Sequence, residues 1–284
     1  MCSLLHIGIN NIIQFITFVF MEVTLIQTAL HWENREKNLA HFDNLLASIS
    51  KKSDLIVLPE MFTTGFTMNP EKLADPANGE ALTWLKQKAV QKNCVITGSV
   101  AVEENGKYYN RLFWVEPNSE FSFYNKRHLF RMAGEDKHYA PGENKIIKNI
   151  GKFNICPLVC YDLRFPVWSR NTFTKTNGLY TAAYDVLIYV ANWPEVRSYP
   201  WKQLLIARAI ENQCFVIGVN RIGTDGNNFP HSGDSMVINP RGEIISTTKS
   251  NEESIETVTL DEAYLSEFRK FFPVGLDADG FELL

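Results

Sequence analysis

Five cysteines in 284 residues include no CxxC pair and no cysteine–histidine spacing of the zinc-binding kind. Neither a disulfide framework nor a structural zinc site is therefore expected to organise the chain. A basic stripe is missing as well. The densest cationic stretch, Lys126 to Arg131, runs straight toward Glu135 and Asp136, and the formal net charge is −4. That speaks against a nucleic-acid partner and leaves a small molecule as the expected one. No lysine or arginine precedes Arg35, so the basic segment of a secretory signal is absent. The apolar stretch Leu4–Phe20 is broken by His6, Asn10, Asn11, Gln14 and Thr17. It falls short of the ~20 largely unbroken apolar residues of a spanning helix. There is no Ser/Gly linker and no internal repeat either, which favours one domain over two.

These absences set the boundaries of the reading. Residues 1–20 are read as an upstream extension outside the fold, as from an over-extended start, and residues 21–284 as a single domain. Unpaired thiols suit a reducing compartment, so a cytoplasmic location is expected. A rival reading, a membrane-associated binding protein without catalysis, rests on the apolar run Ile12–Phe20.

The chain is 45% hydrophobic and rich in aromatics, enough for a large core. Strand-like runs occur at Val23–Thr28, Leu55–Leu58, Val95–Val100, Leu112–Val115, Phe153–Val159, Val186–Val190, Phe215–Val219 and Ser235–Ile238. Several are continuous β-branched stretches, the pattern of strands covered on both faces. Helical spacing recurs at Glu33–Ile49, Glu80–Gln91 and Pro200–Gln213, and Asn171–Ala183 reads as a surface loop. The fold class is α/β, in layers.

Chemistry gathers where these runs end. Glu60 closes Asp54-Leu-Ile-Val-Leu-Pro59, Lys126 follows Phe121-Ser-Phe-Tyr-Asn125, and Cys160 ends Phe153-Asn-Ile-Cys-Pro-Leu-Val159. Asn192-Trp193 and Asn220-Arg221 follow two further runs. In open α/β sheets ligands bind beyond the carboxyl ends of strands, so these groups are expected to outline a pocket. A cysteine is a weak nucleophile until a base takes its proton or a cation favours its thiolate. Glu60 suits the first task and Lys126 the second. Attack on an amide would create an oxyanion, for which Lys126 and the main-chain N–H of Tyr161 are candidate donors. Taken singly, Glu60 reads equally well as a helix N-terminal carboxylate, Lys126 as a solvated lysine and Cys160 as a small buried hydrophobe.

The motifs around these residues, Leu58-Pro-Glu-Met-Phe62, Tyr124-Asn-Lys-Arg-His-Leu-Phe130 and Val159-Cys-Tyr-Asp-Leu-Arg-Phe-Pro166, resemble those of the nitrilase superfamily of carbon–nitrogen hydrolases. The likeness runs from Met21 to the end and includes Asn192-Trp-Pro194 and Asn239-Pro-Arg-Gly242. It implies a four-layer αββα sandwich, no metal or organic cofactor, and a homodimer joined through helical faces. It also implies Glu60 as general base, Lys126 as oxyanion stabiliser and Cys160 as nucleophile. A second glutamate before a Pro-Gly turn is matched by Glu135, with Asp136 and Glu143 as competing neighbours. Within the superfamily the chain looks most like the omega-amidases, which cleave 2-oxoglutaramate and 2-oxosuccinamate through a thioester and serve methionine salvage. An N-carbamoyl amino acid hydrolase or aliphatic amidase is the alternative. A 2-oxo acid substrate needs a cation for its carboxylate, for which Arg131, Arg164 and Arg197 are candidates; Phe62 and Trp193 are candidate pocket walls.

Overall fold

The structure, a computed structural model, describes residues 19–176, 179–280 and 282. One sheet contains β1 (Phe20–Gln27), β2 (Leu55–Val57), β3 (Val95–Glu104), β4 (Lys107–Val115) and β5 (Phe121–Asn125). The other contains β6 (Lys148–Ile150), β7 (Phe153–Val159), β8 (Val186–Ala191), β9 (Phe215–Asn220) and β10 (Met236–Ile238), and β11 (Ser254–Asp261) returns to the first. The first sheet runs β11-β1-β2-β3-β4-β5 and the second β10-β9-β8-β7-β6. The pairs β1–β2, β2–β3, β7–β8 and β8–β9 are parallel. Antiparallel strands flank both parallel cores.

Side-chain alternation makes the layers. Met21, Val23 and Leu25 of β1, Leu55 and Val57 of β2, and Leu112 and Trp114 of β4 turn toward the second sheet and join its Ile155, Val159 and Ile188 in one core. Their neighbours Ile26, Ile56 and Phe113 turn the other way and pack under two helices. Those helices are α1 (Arg35–Ser48) and α2 (Glu80–Lys92), which lay down Leu39, Phe42, Leu46, Leu82, Trp84 and Leu85. On the far side α3 (Ser198–Asn212) puts Trp201, Leu205 and Ala209 on the second sheet at four-residue spacing, and α4 (Glu262–Phe271) adds Leu265. The result is the expected αββα order. Asn34 starts α1, its side chain accepting the Lys37 N–H at 3.0 Å, so the helix begins two residues after Glu33.

Each expected strand run overlaps a strand, but three expectations change. Asn171–Ala183 is no plain loop: Phe173–Thr176 and Leu179–Ala182 form an antiparallel hairpin. Strand β11 and helix α4 carried no strong apolar run, because β11 is a partly solvated edge strand whose stability comes from pairing with β1. Strand β1 also starts at Phe20, and the Val19 carbonyl accepts the Glu262 N–H at 3.1 Å. The fold thus reaches slightly upstream of Met21. The rest of the extension, and most of the run Ile12–Phe20 behind the membrane reading, lie outside the described residues. No helix among the described residues is long and apolar enough to cross a membrane.

Candidate active site

Lys126 leaves β5 and enters the interior. Its Nζ donates to Glu60 Oε1 at 2.9 Å and to Glu135 Oε1 and Oε2 at 3.1 and 2.9 Å, and all three side chains are buried. Burial alone would push the ammonium down, but the Glu135 and Glu60 carboxylates more than offset it and raise its pKa. Lys126 therefore stays charged. The ring of Phe66 lies 5.1 Å from Nζ and closes one side of the cluster.

Asn110 in β4 ties the two glutamates together. Its Nδ2 donates to Glu60 Oε1 at 2.7 Å and to Glu135 Oε1 at 3.2 Å, and its carbonyl accepts the Lys126 N–H at 2.9 Å. Glu135 Oε2 also accepts the Phe130 N–H at 2.6 Å. Burial raises the Glu135 carboxyl above its ordinary value, against the pull of Lys126. The competing neighbours stand outside the cluster: Asp136 pairs with Arg131 at 3.3 Å, and Glu143 is exposed.

Cys160 arrives from the second sheet. The chain turns sharply after β7, with Cys160 at φ +44°, a left-handed conformation that only a well-braced turn sustains. Asp162 supplies the brace. Its Oδ2 accepts the Val159 N–H at 3.1 Å and the Tyr124 hydroxyl at 2.8 Å, while Oδ1 accepts the His128 N–H at 3.0 Å. One carboxylate thus links the cysteine turn to the segment that carries Lys126. The Cys160 thiol feels both the Glu60 carboxylate and the Lys126 ammonium. Burial first, then the Glu60 charge, pushes its pKa well up, and the opposing pull of Lys126 does not make up the difference. Lys126 does pull toward the thiolate, in the expected direction, but burial and Glu60 outweigh it. The ammonium is already shared between two carboxylates, so the sulfur rests protonated beside Glu60.

A cavity of about 840 Å³ opens over this cluster, with Cys160, Tyr161, Arg164, Asn192, Trp193 and Arg197 in its wall. Asn192 follows β8 and grips Glu60 twice: its N–H donates to Oε2 at 2.7 Å and its side-chain Nδ2 to the Glu60 carbonyl. Asn220 holds the same loop from behind, accepting the Trp193 N–H at 2.8 Å and donating to the Trp193 carbonyl at 3.0 Å. The Arg164 and Arg197 guanidinium groups lie 5.2 Å from the rings of Trp193 and Phe130, respectively. Neither has a carboxylate partner among the described residues.

Two expected wall residues are elsewhere. Phe62 is fully buried in the helix-side core, its ring centroid 5.4 Å from that of Phe42 and 5.7 Å from that of Trp84. Left-handed Met61 reverses the chain after Glu60, and Phe66 reaches the cavity in its place. Arg131 is turned to solvent, its side chain 85% exposed and paired with Asp136. Arg221 is buried behind the wall, donating to the Ile222 carbonyl at 3.1 Å, so it lines nothing. The sequence reading passed over Asn110 and Phe66. An asparagine between the aromatic pairs Tyr108-Tyr109 and Phe113-Trp114 is the one available signal for the first.

A model of the carbon–nitrogen hydrolase family matches residues 22–270. The omega-amidase YafV of Escherichia coli (strain K12) is 47% identical over 263 residues, covering 93% of this chain and 98% of that protein. The 2-oxoglutaramate amidase of Bacillus subtilis (strain 168) is 33% identical, covering 89% and 95%. Among solved structures, XC1258 from Xanthomonas campestris, a CN-hydrolase superfamily protein with an arsenic adduct in its active site, superposes with a TM-score of 0.90. It is 39% identical and covers 94% of this chain and 100% of its own. The chain belongs to the carbon–nitrogen hydrolase family of the nitrilase superfamily, and it is a hydrolase of amide carbon–nitrogen bonds.

Proposed function

We propose that this chain is a cysteine-dependent omega-amidase. It hydrolyses the terminal amide of a 2-oxo acid such as 2-oxoglutaramate or 2-oxosuccinamate to the 2-oxo dicarboxylate and ammonia. The observation that carries the reading is a buried thiol, carboxylate and ammonium meeting under a cavity whose wall holds the unpaired guanidiniums Arg164 and Arg197. The relatives named for omega-amides support the substrate class. Phe130 and Trp193 hold the guanidiniums by their faces and leave their N–H edges for the substrate carboxylate.

As Cys160 Sγ attacks the amide carbon, its proton passes to Glu60, so no free thiolate has to form in the buried site. The oxyanion is received by Lys126 Nζ and the Tyr161 N–H. Glu135 and Asn110 hold the ammonium and Glu60 through the cycle. The tetrahedral adduct collapses as Glu60 returns the proton to nitrogen; the C–N bond breaks, ammonia departs and a thioester remains. Glu60 then takes a proton from water, whose oxygen attacks the thioester, and the second adduct releases the acid and the Cys160 thiol. The chemistry places such an enzyme after reactions in which glutamine gives up its α-amino group to a 2-oxo acid, as in methionine salvage. The four buried free thiols among the described residues suit a reducing cytoplasm, and a homodimer through the helical faces completes the reading.

Ammonia release from 2-oxoglutaramate under reducing conditions tests it. Wild type should turn the compound over, and Cys160→Ala should lower kcat about 10⁴-fold or more. Turnover of N-carbamoyl amino acids or simple aliphatic amides, with none of 2-oxoglutaramate, would overturn the substrate assignment.

A further inference from the structure

One residue of the cavity wall carries a buried polar atom with no partner among the described residues. Asn192 is 4% exposed, and its N–H and Nδ2 are both committed to Glu60. Those bonds fix which end of the side-chain amide faces where, because only the nitrogen can donate to the Glu60 carbonyl. The oxygen, Oδ1, is left buried without a hydrogen bond among the described residues. A stranded acceptor costs stability unless something fills it in the working state. The charged groups of the cluster do not: Glu60 and Glu135 are acceptors, and Lys126 is bonded to both of them.

We infer that Asn192 Oδ1 accepts an N–H from the nitrogen of the scissile amide, and so selects an unsubstituted amide. This rests on the amidase reading above and adds the determinant of its leaving group. A primary amide with its oxygen turned to Lys126 and Tyr161 presents two N–H groups on the opposite side. Asn192 is gripped to Glu60 by two hydrogen bonds, so its side chain is held against the residue that must protonate that nitrogen. As the adduct forms, the bond to Oδ1 holds one N–H away and leaves the nitrogen lone pair facing the Glu60 proton. The acceptor is still there as ammonia forms with three N–H groups. Replacing one hydrogen of the amide by a methyl puts carbon against Oδ1, or forces the nitrogen to turn its lone pair from Glu60. An ester has no N–H to offer at all.

The test compares leaving groups on one acyl group. 2-Oxoglutaramate and the 5-ethyl ester of 2-oxoglutarate give the same Cys160 thioester, so differences in kcat/KM arise before the leaving group departs. Asn192→Ala removes a hold on Glu60 that both substrates need, so kcat/KM should fall for both, but about 30-fold further for the amide than for the ester. Equal losses on both would mean that Asn192 acts only by holding Glu60, and no loss on either would mean that it does not act; both overturn the inference. A second measurement needs no variant. Wild type should cleave the N-methyl amide about 100-fold less efficiently than the primary amide, and equal rates would sink the proposal. Absence of ammonia release from the primary amide by wild type would fall on the amidase reading instead.

Discussion

Lys126 is one ammonium between two buried carboxylates, and most of the site's electrostatics follow from that imbalance. Asn110 covers the shortfall with an uncharged donor reaching both glutamates. Removing the cation in Lys126→Met leaves Glu60 and Glu135 facing each other away from water, where both cannot stay ionised. One of them then takes a proton on folding, so the folded state binds more protons than the unfolded chain and stability falls as pH rises. The variant should be about 3–5 kcal/mol less stable than wild type near pH 8. Its deficit should shrink near pH 5, where the unfolded carboxyls also approach protonation. Urea unfolding at the two pH values measures this, and a deficit independent of pH would show that the carboxylates do not depend on Lys126. In wild type the raised Lys126 pKa carries the opposite consequence. Its contribution to stability is complete below the ordinary lysine value and is lost only as pH rises through the raised one.

Turns, more than the strands they follow, aim these groups. The segment after β5 is clamped by Gly142, whose N–H donates to the Lys126 carbonyl at 2.9 Å. A Cβ at Gly142 would stand 2.0 Å from the Asn125 carbonyl oxygen, so the main chain just before Lys126 would have to move. Gly142→Ala should therefore lower stability by about 1–3 kcal/mol and reduce kcat even where the protein remains folded. Thermal unfolding and ammonia release at a temperature well below Tm check the two effects separately, and a variant with wild-type kcat would show that the clamp does not aim Lys126. The cysteine turn has the same logic. Asp162 spends its carboxylate on Val159, Tyr124 and His128, so the left-handed residue at Cys160 is held from both its own strand and the Lys126 segment.

Glu60, Asn110 and Lys126 belong to one sheet, while Cys160 and Asn192 belong to the other. Nothing short of the packed pair of sheets brings sulfur to base. The core is continuous from Val23 and Trp114, through Ile188 between the sheets, to Trp201 and Leu205 beyond the second. Loss of the site and loss of the fold should accordingly be one event. In a urea titration, ammonia release and tryptophan fluorescence are expected to fall with a common midpoint. Activity lost well before fluorescence would show the sheets separating, or the site loosening, independently of the core. Trp114→Ala, which empties the middle of that core, should cost about 3–5 kcal/mol and shift both midpoints together.

Much of this was readable along the chain. Continuous β-branched runs mark strands covered on both faces, because burial on two sides removes the need for polar alternation, and the groups at their ends follow without any knowledge of packing. That is why Glu60, Lys126 and Cys160 stand out in one dimension. Phe62 and Phe66 do not differ in any local pattern; one enters the core and the other the cavity because Met61 reverses the chain. Arg131, Arg164 and Arg197 are likewise equivalent until the fold points one to solvent and two to the cavity wall. Asn110 and Asn192 acquire meaning only against Glu60, 50 and 132 residues away. Strand and turn preferences are short-range and are written in neighbouring residues, whereas hydrogen bonds across a buried site depend on how two sheets dock, which no stretch of either sheet encodes alone.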